Sequence, residues 1–157
     1  MKNRFEIEYE LLDSADKLSQ RDQLLLQKAL EASKHAYAPY SNFHVGAAVQ
    51  LENEEIFVAS NQENAAYPSG LCAERVAIFS AMSGFPEAII DTVAICALTA
   101  NAEPVAPCGA CRQVILEYEQ KSGKPIRLIM GHPNTKILLV SSASDLLPLS
   151  FGKSQLP

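Results

Sequence analysis

Residues 72–130 read CAERVAIFSAMSGFPEAIIDTVAICALTANAEPVAPCGACRQVILEYEQKSGKPIRLIM, and in them two helical segments alternate with two apolar strands. Cys72 to about Ser83 carries helical spacing and stops at Gly84, and Thr92 to Thr99 is a strand. Cys108 to about Gln120 is helical and stops near Gly123, and Ile126 to Met130 is the next strand. Just upstream, His44 to Leu51 and Glu55 to Asn61 are β-rich segments joined by a polar turn around Asn53, which reads as a hairpin. The order strand, helix, strand, helix, strand predicts two right-handed crossovers and three parallel neighbouring strands. Lys136 to Val140 follows as an antiparallel return. Helices fed by parallel strands start at the carboxyl edge of the sheet, where open α/β folds bind ligands. Cys72, Cys108 and Cys111 therefore converge on that edge, with Phe43 at the entry of the hairpin and Asn61 and Glu63 at its exit.

Working toward the N-terminus, Leu24, Leu25, Leu26, Ala29, Leu30, Ala32 and Ala36 have helical spacing, with Ser19 as N-cap and a stop at Ala38-Pro39. Before it, Phe5, Ile7, Tyr9 and Leu11 alternate with Arg4, Glu6, Glu8 and Glu10, the period-2 pattern of an edge strand or an extended arm. Residues 1–18 are thus expected to be an N-terminal extension on one domain, residues 19–157. Toward the C-terminus, Asp145 to Gly152 reads as one helical turn and a tail.

A chain of 157 residues, 48% hydrophobic and 20% charged, has the size and apolar content of one folded core. Its 13 basic and 18 acidic residues give a formal charge of −5, which repels a phosphate backbone, so nucleic acid is not the expected partner. The longest uncharged stretch, His35 to Leu51, is broken by Pro39, Asn42 and His44 and falls short of the ~20 apolar residues of a membrane span. No apolar run follows the basic start of the chain as a secretory signal requires, so the expected setting is cytoplasmic.

In such a setting Cys108 and Cys111, in C-x-x-C spacing, suit metal or redox chemistry better than a structural disulfide. With Cys72 they supply three thiolates for a tetrahedral zinc whose fourth position is open, as in a catalytic site. A closed zinc knot completed by Cys96, His44 or His132 is the alternative; Cys96, in mid-strand, reads as a small buried residue. The helix N-termini at Cys72 and Cys108 favour thiolates. Glu74, two residues after Cys72, reaches over the metal without replacing a ligand, which is where a group that accepts and returns protons belongs. Read alone, it is a glutamate favoured by a helix N-terminus.

Cys72-Ala73-Glu74-Arg75 followed by Pro107-Cys108-Gly109-Ala110-Cys111-Arg112-Gln113 resembles the cytidine deaminase family, whose zinc signature pairs a Cys or His, a Glu two positions on, and a later P-C-x-x-C. Cysteine as first ligand is similar to the free-nucleoside branch. The similarity extends through Ala38-Pro39-Tyr40-Ser41, Phe43 to Ala48, Asn61 to Tyr67 and Leu146-Leu147-Pro148, and covers roughly residues 20 to 152. It implies a three-layer α/β/α fold on a mixed, mostly five-stranded sheet. It also implies one Zn²⁺ per subunit on Cys72, Cys108 and Cys111, with Glu74 as the catalytic proton carrier. The implied reaction is hydrolytic deamination of cytidine and 2'-deoxycytidine to uridine and 2'-deoxyuridine plus ammonia, a step of pyrimidine salvage. Asn61 and Glu63 would bind the ribose, Phe43 would pack on the pyrimidine, and Ala73 would contact the substrate. Phe151 resembles an aromatic residue that reaches a neighbouring subunit's pocket in a homotetramer, or else it caps its own core. Arg75 and Gln113 would stand behind the metal ligands. Zinc with three thiolates carries about −1, so a cation beside the sulfurs, Arg75 or Arg112, would restore Lewis acidity.

Overall fold

Ser19 caps the first helix as expected. In the computed structural model, which describes residues 1–157, its side chain accepts a hydrogen bond from the Asp22 N–H at 3.1 Å and α1 runs Gln20–Ser33. The helix stops before the Ala38-Pro39 signal. The Ser33 hydroxyl bonds back to the Leu30 carbonyl, and Lys34, His35 and Ala36 each donate to a carbonyl three residues earlier, tightening the last turn.

The hairpin forms as β2, Val45–Leu51, paired antiparallel with β3, Ile56–Ser60. Then come α2, Ala73–Gly84; β4, Ile90–Ala97; α3, Gly109–Ser122; β5, Arg127–Gly131; and β6, Ile137–Val140. Gly123 ends α3 in the left-handed conformation, φ 68°, where a glycine has no Cβ to strain. A 3-10 turn, Ala143–Leu146, takes the place of the expected helical turn at Asp145.

Two expectations about the sheet are corrected. It has six strands rather than five, because Glu10–Leu12, β1, joins the edge of β6; the order is β1-β6-β5-β4-β2-β3. Strands β3, β4 and β5 do run in one direction, but they are not three neighbours, since β2 lies antiparallel between β3 and β4. The burial of β2 at all seven positions suits this central place, where helices cover both faces of the sheet. The hairpin therefore enters the sheet through β2 and leaves β3, whose Val58 is exposed, at the edge.

The alternation of β2 divides the core. Val45, Ala47, Val49 and Leu51 pack with α2 and Ile115 of α3, whereas Ala48, with Ala94 and Cys96 of β4, faces Leu25, Leu26 and Ala29 of α1. The result is helices on both sides of the sheet. Gly46 is what lets α1 lie so close, for a Cβ there would sit 1.9 Å from the Ala29 carbonyl oxygen. The period-2 pattern from Phe5 yields only three paired residues, Glu10, Leu11 and Leu12, although the same register brings Val140, the last residue of β6, opposite Tyr9.

Candidate active site

Cys72 and Cys108 are the N-caps of α2 and α3, so the two helices aim their N-termini at one point on the sheet edge. Cys111, one turn into α3, is buried beneath them. The Cys72 and Cys108 sulfurs lie 3.7 Å apart, those of Cys108 and Cys111 3.6 Å, and all three fall within 4.8 Å of one another. A tetrahedral zinc with bonds of about 2.3 Å sets its sulfurs roughly 3.8 Å apart, so this donor set fits the metal. Histidine takes no part in the cluster. His132 sits elsewhere, its Nδ1 accepting from the Asn134 N–H, and Cys96 is buried on the α1 face with its thiol pushed up to about 12 by burial.

The sulfurs do not share protons evenly. The neighbouring Cys111 thiol and Arg75 hold Cys72 well below the ordinary thiol range; Cys111 is driven up by Cys72, by burial and by Glu74. Arg75 reaches Cys72 Sγ at 4.0 Å and the Gly70 carbonyl at 3.4 Å through Nη2, while its buried Nε has no partner. Arg112 is committed elsewhere: Nε donates to Pro107 O at 2.9 Å and Nη1 to Leu146 O at 3.0 Å, fastening the turn before Cys108 to the C-terminal segment. Gln113 donates to the Phe151 carbonyl at 3.0 Å and so holds the tail on α3.

Glu74, in the first turn of α2, is 4% exposed. Burial raises its pKa and the negative Cys72 sulfur raises it further, opposed by its own backbone N–H and by Cys111. It lines a cavity of about 220 Å³ with Phe43, Asn61, Glu63, Cys72, Ala73 and Cys108, the segments the sequence placed on this edge. Ser41, Val45, Ile95, Val105 and Ala106 complete the walls, the last two from the loop between β4 and α3.

The rim is organised by side chains that accept backbone N–H groups. Asn61 accepts from Val45 N at 2.8 Å and donates to Phe43 O at 3.0 Å, pinning the Phe43 backbone at the start of β2. Glu63 accepts from Tyr40 N at 2.9 Å, Ser41 N at 3.2 Å and the Ser41 hydroxyl, and these bonds hold its carboxyl below the usual range although it is open to solvent. Ser41 had no assigned role in the sequence; its signal was its place between Pro39 and Phe43. A second cavity of about 510 Å³ adjoins the first through Ser41, Asn61, Glu63 and Cys72, and Tyr40 and Tyr67 meet edge to face on it with centroids 5.7 Å apart. Phe151 lines neither cavity; its ring is exposed on the outside of the molecule.

Residues 19–123 match the family described as the cytidine and deoxycytidylate deaminase zinc-binding region. The chain is 45% identical over 129 residues to a cytidine deaminase of Halalkalibacterium halodurans, an overlap of 82% of this chain and 92% of that protein. To a cytidine deaminase of Sporosarcina psychrophila it is 38% identical over 132 residues, 84% of this chain and 92% of the other. The crystal structure of cytidine deaminase from Burkholderia pseudomallei superposes with a TM-score of 0.71 at 39% identity, covering 82% of this chain and 97% of that one. The fold, the sulfur geometry and this sustained identity agree, and the chain belongs to the cytidine deaminase family.

Proposed function

We propose that the protein hydrolyses cytidine and 2'-deoxycytidine to uridine and 2'-deoxyuridine with release of ammonia. The observation that carries this reading is a buried carboxylate, Glu74, in one small cavity with the sulfurs of Cys72 and Cys108. Cys72, Cys108 and Cys111 would hold the zinc, which would supply the Lewis acidity that makes a water nucleophilic at neutral pH. Glu74 takes the proton of that water and passes it to N3 of the pyrimidine as C4 is attacked. It then carries the remaining hydroxyl proton to the departing amine. Being buried, the Glu74 carboxylate binds a proton more readily than a solvated one, which suits a group that must take and return protons near neutrality. The apolar walls around it, Val45, Ile95, Val105 and Ala106, limit competing water.

Phe43 packs on the ring, Ala73 contacts the base from the helix start, and Asn61 and Glu63 hold the ribose hydroxyls. Support for the sugar side comes from Glu63, whose three donors fix it in the charged form at the cavity rim. Arg75 offsets the thiolate charge at Cys72. Residues 19–157 form the catalytic domain in this reading, and residues 1–18 are its extension. We also infer a homotetramer whose sites are shared across subunits, supported by the exposed Tyr67 and Phe151 rings; Phe151, held by Gln113 away from its own cavity, reaches a neighbour's. No helix is long and apolar enough to cross a membrane, and thiolate ligands suit the reducing cytoplasm, where the products enter pyrimidine salvage.

The test is the ultraviolet absorbance of cytidine during incubation with zinc-loaded protein, beside Glu74→Gln. A fall with the wild type alone is expected. No fall with folded, zinc-loaded wild type overturns the reading.

A further inference from the structure

The first nine residues lie outside the sheet, with β6 ending at Val140 opposite Tyr9, yet they are patterned as a strand. They lie at the edge opposite β3, continuing the line of β1, and take no part in the site described above. Phe5, Ile7 and Tyr9 are 61%, 47% and 63% exposed. Ile7 and Tyr9 turn with Leu11 toward Leu138, Val140 and Leu146, so the odd positions face the α3 side of the sheet and the even, charged positions face away. Arg4 and Glu6 share that second face, 3.6 Å apart. An extended segment with free N–H and C=O groups on both sides is a template for another strand.

We propose that the arm pairs antiparallel with the same arm of a second copy, in the register that sets Phe5 opposite Phe5. The charges select this register. It places Lys2 opposite Glu8 and Arg4 opposite Glu6, twice over by the two-fold symmetry, with Met1 opposite Tyr9 and Asn3 opposite Ile7. Sliding by two residues one way sets Arg4 on Arg4; sliding by two the other way sets Glu6 on Glu6. Sliding by one moves every charged residue opposite a position of the other face. Parallel pairing in register stacks each charge on its own copy. Only the Phe5-centred register cancels all eight charges of the two arms, and it lays the apolar stripes of both copies on one face.

A two-stranded ribbon is marginal alone, so each arm relies on its anchorage through β1 to β6. The proposal concerns residues remote from the catalytic pocket and does not depend on the deaminase reading or on the tetramer.

Cross-linking tests it in the zinc-loaded full-length protein. Residues opposite each other in an antiparallel pair have Cα atoms roughly 4.5–5.5 Å apart, within reach of a disulfide. Under mild oxidant Phe5→Cys is expected to form a covalent dimer on the order of tenfold faster than Ile7→Cys, the wild type serving as background. Adding Arg4→Glu to Phe5→Cys slows it by a similar factor, and adding Glu6→Arg as well restores the rate, since the charges then pair with their signs exchanged. Equal rates at positions 5 and 7, or a charge exchange that fails to restore, overturn the proposal. The arm lies outside the core, so these variants keep the fold, which circular dichroism and the zinc content verify.

Discussion

Two glutamates, Glu74 at the start of α2 and Glu119 near the end of α3, are buried to nearly the same degree, 4% and 8% exposed, in opposite chemical situations. Glu119 is saturated. It accepts from Ile126 N at 2.7 Å, Ala143 N at 2.8 Å, Ser144 N at 3.1 Å and Ser142 Oγ at 2.7 Å, tying α3 to the start of β5 and to the C-terminal turn. Glu74 faces thiols and its own backbone N–H, and burial shifts its affinity for a proton. Burial with donors makes a carboxylate a joint; burial without them leaves it free to exchange a proton.

Replacing each acid by its amide tests that contrast. Glu74→Gln should keep its zinc and its melting temperature while kcat falls about 10³-fold, the scale of a lost general acid–base. Retained turnover in the metal-loaded variant would move proton transfer to another group. Cys108→Ser, on the same corner, should lower zinc content and activity together, and metal analysis separates it from Glu74→Gln. Glu119→Gln turns an NH₂ toward N–H donors and should cost about 3 kcal/mol, with a fall in melting temperature of roughly 10 °C and kcat nearly unchanged below it. If kcat fell as steeply as stability, Glu119 would belong to the site and the contrast would fail.

The sequence displayed one of these glutamates and hid the other, for a physical reason. Glu74 is legible because the proposed proton transfer would require it at a fixed spacing from Cys72, and the second pair of thiols, Cys108 and Cys111, keeps the spacing of a metal site. Glu119 serves donors 7 to 25 residues further along, brought to it by the turn at Gly123 and by the return of β6. No local pattern marks such a residue. The same limit governs the sheet. Periodicity locates β2 and β3, but their order depends on which strand is apolar on both faces, and the insertion of β2 beside β4 reverses the expected neighbours. Sequence likewise placed Phe43, Asn61 and Glu63 on one edge because hairpin direction alone decides that. It set Gln113 behind the metal ligands and offered Arg112 beside Arg75 as a cation near the sulfurs, but it did not foresee that both grip the C-terminal segment, 34 and 38 residues away.

Glu63 offers the smallest and finest test, because it combines features of both glutamates: it is open to solvent, yet it accepts three hydrogen bonds from Tyr40 and Ser41. If it holds the ribose, Glu63→Gln should raise KM about tenfold and leave kcat within a small factor, the signature of binding shared by ground and transition states. Its carboxyl is held below the usual range chiefly by the Ser41 hydroxyl and the Tyr40 N–H. A folded pKa below the unfolded one means that the Glu63 bonds stabilise the rim above the unfolded value and are lost only as pH falls through the folded one. KM should therefore stay flat from pH 8 to about pH 5 as far as Glu63 is concerned, and Ser41→Ala, which removes the first of those bonds, should move the acid-side rise in KM upward in pH. A KM that climbs at the same pH in Ser41→Ala as in the wild type would show that another group governs nucleoside binding. Glu63 would then be a joint like Glu119, only a more exposed one.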